Sequence, residues 1–200
     1  MSNAASRGKI RRMTGLSILM ALVVVLTLLG NFVRFGPFPV TLALAPIIIG
    51  AAVFGPSAGA ILGFAFSLVV YITGLMGMDG GTVMLLMSVS PIACTAICLL
   101  KGTLAGWLAG LGYELLAKKN VHLGVVAAGI ICPVVNTGIF IVGMLIFFAE
   151  TLASWAGGQP IVSFIIFGLT GVNFLVELAV NLVLASGITT IIKYVGGKKK

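Results

Sequence analysis

Along this chain, long uninterrupted apolar runs are separated by short breaks of glycine, proline or charge, and the runs show no alternation of apolar and polar residues. Runs of roughly 20 residues match a ~30 Å hydrocarbon layer at 1.5 Å per helical residue, and a helix satisfies its own backbone hydrogen bonds in lipid. The pattern predicts six helices, at about 13–33, 39–54, 57–75, 89–117, 121–148 and 162–195, with the polar stretch "GMDGGT" between the third and fourth. The expected fold is an all-α integral membrane protein, a compact bundle of six transmembrane helices with both termini cytoplasmic. Residues 1–12 and 196–200 read as basic tails on a transmembrane unit at 13–195.

Composition agrees with this reading. A chain of 200 residues with 60% hydrophobic and 8% charged side chains has too much apolar surface for one soluble core. The segment "SRGKIRR" resembles the basic start of a signal peptide, but the apolar stretch behind it continues for about 20 residues without a small-residue cleavage site, which favours a first span. With the N-terminus inside, the cytoplasmic segments carry Arg7, Lys9, Arg11, Arg12, Lys118, Lys119, Lys193 and Lys198 to Lys200, ten of the twelve basic residues. The net charge of +8 therefore reports topology and contact with anionic lipid, and no nucleic acid partner is expected.

Catalytic signatures do not emerge. The stretch "GPSAGAILG" lacks the Gly-Lys-Ser/Thr ending of a phosphate-binding loop, "LLKGT" lacks the upstream glycine, and neither a nucleophile elbow nor HExxH occurs. Cys94 and Cys98 are four apart but have no neighbouring histidine or carboxylate in sequence, and His122 sits at a helix edge, so packing or surface roles are expected and neither metal nor cofactor is implied.

Glycine and the rare polar residues carry more. Gly55, Gly59 and Gly63, and again Gly102, Gly106 and Gly110, recur every four residues and so share one helix face, where close helix packing is the expected use. Ser17 and Ala21 form a similar small pair in the first helix. Within the spans, Lys101, Asn136, Asn173, Glu177 and Asn181 stand out, and the last three form one stripe at i, i+4, i+8. Charge at mid-membrane is costly, so Lys101 and Glu177 should face the bundle interior, either as a mutual ion pair or as parts of a ligand pocket in which lysine meets an anion and asparagines orient it. Asp79 and Glu150 are expected to be solvated in outer loops, and Glu114 to be a surface or interfacial charge near the inner edge. Pro39 suits a helix start, and Pro46 is expected to bend the second helix one third to halfway along.

In their order, "FPVTLALAPIIIGAAVFGPSAGAILGFAFSLV", "LKGTLAGWLAGLGYELL", "CPVVNTGIF" and "NFLVELAVNLVL" resemble the substrate-binding S components of energy-coupling factor (ECF) transporters, which capture vitamins in prokaryotes. The resemblance implies a multi-pass protein of the prokaryotic plasma membrane that binds a vitamin-like molecule from outside. It also implies a transmembrane scaffold subunit and two cytosolic ATPases as partners, which supply ATP hydrolysis to a subunit that is not itself an enzyme. Ser17 and Ala21 then correspond to the family's Ala-xxx-Ala docking pair. Asn31, Arg34, Lys101, Asn136, Asn173 and Glu177 become the expected substrate-binding residues, although an interfacial, snorkelling role also suits Arg34. Two cations with amides suit a small acid such as pantothenate, whereas riboflavin would call for more stacking surface. A stand-alone secondary transporter and a small membrane enzyme are the alternative classes.

Overall fold

The computed structural model describes residues 2–32 and 41–196. The regular elements among its described residues are all helical, with no strand. The helices are α1 (Ser2–Gly30), α2 (Leu44–Phe54), α3 (Pro56–Leu75), α4 (Thr82–Val89), α5 (Pro91–Ala117), α6 (Val121–Phe147), α7 (Ala149–Ala156), α8 (Ile161–Ser163) with a π-helical continuation (Phe164–Leu169), and α9 (Gly171–Gly196). Five segments are long and apolar enough to cross a bilayer: Gly8–Gly30, Pro56–Leu75, Pro91–Ala117, Val121–Phe147 and Asn173–Ile192. The pair Ala149–Ala156 and Ile161–Leu169, bent by 83°, makes a sixth if it is counted as one span. The all-α membrane bundle expected from the apolar runs is thus present.

Local chemistry sets the helix boundaries. Gly55 takes φ +92° between α2 and α3, and Pro56 follows at the first turn of α3, where its missing N–H costs nothing. Pro91 opens α5 in the same way after extended Ser90. Asn120 caps α6, its side chain accepting from the His122 N–H at 2.8 Å. The α1 helix runs back through the basic segment, and Lys9, Arg11 and Arg12 are exposed on it.

Four elements depart from the sequence reading. The described part of the second helix is only 11 residues, about 16 Å at 1.5 Å per residue, roughly half a hydrocarbon layer. Pro46 lies in its first turn rather than partway along, so it removes no intrahelical hydrogen bond and bends nothing. Pro39 lies outside the described residues. The last long helix is interrupted: the Thr170 N–H reaches back to Ile165 O at 3.1 Å, a π-type register, and α9 begins only at Gly171. A β-carbon at Gly171 would overlap the Ile166 carbonyl, so glycine permits this tight passage. Finally, α4 and α7 form from residues expected to be loop.

The glycine repeats hold α3 against α5. Gly59 faces Gly106 and Gly63 faces Gly102, each so close that a β-carbon would overlap the opposite carbonyl oxygen. Gly110 meets Pro56 in the same antiparallel register, and the Gly102 N–H donates to Ser67 Oγ at 3.1 Å. Further along, the register brings Tyr71 to Thr95, whose hydroxyls are 3.0 Å apart. Small residues close one half of this helix pair and larger ones occupy the other half.

Apolar side chains form two buried clusters. One gathers Leu44, Ile47 and Ile48 of α2 with Leu62, Ala109, Val125 and Ile188. The other joins Val83 and Leu86 of α4 to Cys94, Ile97, Met144, Phe148, Leu152 and Leu169. The candidate site lies at their boundary.

Candidate functional site

A cavity opens where the two clusters meet, in the half of the bundle that contains α4 and the start of α5. It offers about 120 Å³ to the centres of water molecules. One water needs only ~10–15 Å³ on that measure, so this is ligand-scale space rather than a packing defect. Its walls come from Phe66, Val70 and Thr73 of α3, Cys94, Ile97, Cys98 and Lys101 of α5, Asn136, Thr137 and Phe140 of α6, and Asn173, Phe174 and Glu177 of α9. Asn31, Thr41, Asp79, Thr82, Val83, Leu86, Leu169 and Thr170 complete it.

Five of the six sequence-derived site residues, Asn31, Lys101, Asn136, Asn173 and Glu177, line this one cavity. The sixth, Arg34, lies outside the described residues. Asn181 belongs to the same stripe as Asn173 and Glu177 and is buried, but it sits beside Gly129 of α6, below the cavity. Ser17 and Ala21 are exposed on α1, with Ser17 Oγ donating to Met13 O at 3.0 Å.

The polar groups do not pair as a Lys101–Glu177 ion pair. Instead, Lys101 Nζ lies 5.5 Å from the centroid of the Phe140 ring, a cation–π distance. Glu177 is 5% exposed, and its Oε1 accepts the Thr41 backbone N–H at 2.9 Å. Among the described residues, Glu177 Oε2 and Asn136 Oδ1 have no hydrogen-bond partner, although both are buried. Unsatisfied buried acceptors are rare in folded proteins, and a ligand donor is a standard reason for keeping them.

Asp79 also differs from expectation. Rather than being solvated in a loop, it is 8% exposed and its two carboxylate oxygens accept from Gly81 N at 3.0 Å and Val83 N at 2.8 Å, ordering the entrance to α4. Glu114 and Glu150 are exposed as expected. His122 is exposed, and its Nδ1 lies 3.1 Å from Thr189 Oγ1. The three cysteines are buried as free thiols.

Sequence reasoning missed Thr41, Phe140, Thr170 and Asp79. Phe140 had a signal, since it is one helical turn from Asn136 and shares its face. Thr41 meets Glu177 from 136 positions away in sequence, and the polar character of Thr170 shows only once the helix breaks.

This arrangement, a cation, amides and a carboxylate sunk into an apolar membrane bundle, suits recognition of a small polar molecule. Residues 11–189 match the family model described as "ECF transporter, substrate-specific component". The chain belongs to this family of ECF transporter substrate-specific components. It is a multi-pass protein of the prokaryotic plasma membrane and a substrate-binding subunit of a transport system, rather than an enzyme. The family implies a vitamin-like substrate and ECF transporter partners. The chain is also similar to the pantothenic acid transporter PanT of Lactococcus lactis subsp. cremoris (strain MG1363), with 28% identity over 184 residues, covering 86% of this chain and 89% of the relative. No solved structure matches it.

Proposed function

We propose that this ECF substrate-specific component binds pantothenate. The observation that carries the reading is Lys101, a mid-helix cation held over Phe140 in a cavity with buried Asn136, Asn173 and Glu177. Lysine answers a carboxylate, while the amides and Glu177 answer hydroxyl and amide groups, all of which pantothenate has. The similarity to a pantothenic acid transporter points the same way. Riboflavin is less well served, because the aromatic surface of the described wall is Phe66, Phe140 and Phe174, without tryptophan or tyrosine.

In this reading the cavity faces outside and both termini are cytoplasmic, since the cavity half is opposite the end bearing Lys118 and Lys119. A transmembrane scaffold and two cytosolic ATPases drive release inward, with Ser17 and Ala21 on the docking face of α1. Mass spectrometry of the small molecule extracted from purified protein tests the substrate. Pantothenate in stoichiometric amount is expected; riboflavin, or a converted product, would overturn the reading.

A further inference from the structure

The same cavity has a direction. Resting on the pantothenate reading, we infer that the substrate is held end to end, its carboxylate at Lys101 and its hydroxyl-bearing end at Asn136 and Glu177.

Helix registers set the depths. Along the antiparallel α5–α6 contact, Ile97 packs where a side chain at Gly143 would lie, Lys101 stands over Phe140, and Ile131 reaches Gly112. Along α6–α9, Gly129 lies beside Asn181. Glu177, one turn from Asn181, is therefore level with the turn after Gly129, close to Pro133. Seven residues separate that level from Phe140, about 10 Å of helix rise. Asn136 lies between. The cation thus marks the α4 end of the cavity and the carboxylate its floor, where Thr41 holds Glu177 Oε1.

The floor presents acceptors. Glu177 and Asn136 are each more than nine-tenths buried, and Glu177 Oε2 and Asn136 Oδ1 lack donors among the described residues. A ligand carboxylate placed there would add acceptor to acceptor. A hydroxyl or amide N–H would satisfy them. Extended pantothenate has the backbone length of about three residues, ~10 Å, with a carboxylate at one end and hydroxyls at the other. It spans the interval from Lys101 to Glu177 in one orientation only.

The test pairs protein variants with ligand analogues, using the full chain in lipid nanodiscs and calorimetric titration. Ligands are pantothenate, its deoxy analogues lacking one hydroxyl, and pantothenol, in which an alcohol replaces the carboxylate. Glu177→Gln keeps an oxygen for the Thr41 N–H while turning the unpartnered acceptor into a donor; Lys101→Met keeps the stem and removes the charge. Loss of the hydroxyl that meets the floor is expected to weaken binding to the wild type about ten- to hundredfold, and at least about threefold less in Glu177→Gln. Pantothenol is expected to lose affinity for the wild type but not further for Lys101→Met. Should Glu177→Gln fail to fold, Asn136→Leu with the same deoxy analogues reads the same floor. Crossed coupling, with Glu177 sensing the carboxylate and Lys101 the hydroxyls, or equal losses in wild type and variants, overturns the orientation alone. Absence of pantothenate binding to the wild type overturns both the orientation and the proposed function.

Discussion

The backbone N–H of Thr41 donates to Glu177 Oε1 at 2.9 Å, joining positions 136 apart in sequence. This bond ties the approach to α2 to a residue of the cavity wall and leaves the second carboxylate oxygen without a donor among the described residues. Glu177→Ala removes both functions, whereas Glu177→Gln retains the first. Glu177→Ala is expected to lower stability by about 1–3 kcal/mol, because it strands a part-buried N–H, with Glu177→Gln much nearer wild type. Thermal unfolding of the two variants in the same detergent checks the order.

Among the described residues Lys101 meets no carboxylate, and it lies over Phe140. Its removal therefore breaks no ion pair, and Lys101→Ala is expected to leave the fold intact while weakening pantothenate binding by about 1.5–3 kcal/mol. Titration calorimetry reads the affinity, and an unchanged unfolding temperature is the accompanying expectation. Unchanged affinity would remove Lys101 from the site.

The α3–α5 seam makes a sharper demand on size. Gly63→Ala puts a methyl group onto the Gly102 carbonyl and requires the helices to separate, at a cost of about 1–3 kcal/mol. Gly187→Ala, where a β-carbon meets nothing within 4 Å, is expected to be neutral or slightly stabilising. Comparing the two by thermal unfolding separates packing from the general effect of glycine in helices.

Asp79 accepts two backbone N–H groups at the entrance to α4. Asp79→Ala is expected to destabilise that entrance by about 0.5–2 kcal/mol, a capping-scale effect. Hydrogen exchange should accelerate across Thr82–Val89 while α5 and α6 remain protected. Uniform acceleration would instead assign Asp79 a global role.

Ser17 and Ala21 face outward from α1 and do not line the cavity. If they belong to the docking face, Ser17→Leu leaves pantothenate binding by the isolated subunit within about twofold and reduces uptake at least about tenfold in proteoliposomes containing the scaffold and ATPases. Equal uptake by wild type and Ser17→Leu would move docking elsewhere.

The cavity was legible in sequence to the extent that polar residues in lipid are few. Lys101, Asn136, Asn173 and Glu177 could not all face hydrocarbon without large cost, so convergence on the bundle interior followed from membrane physics. Their pairing was not legible. Whether Lys101 meets Glu177 or Phe140 depends on the register of α5, α6 and α9, which no local pattern specifies. Asn181 makes the same point from within one stripe: periodicity placed it on the face of Asn173 and Glu177, but the cavity ends before it. The breaks at Thr170 and the short helices α4 and α7 were missed because apolar composition alone does not separate a π-type register or a surface helix from a continuous span.

By itself, the sequence determined that this is an all-helical membrane protein, where its long helices run, and which residues were too polar to face lipid. Those properties are local, since hydrocarbon forces each segment to be apolar and to satisfy its own backbone. Only the tertiary structure decided that the described second helix stops at half length, that Asp79 is buried, and that Lys101 and Glu177 line one cavity. Such relationships arise from contacts between distant segments, where glycine seams set how closely the helices approach and thereby which side chains meet.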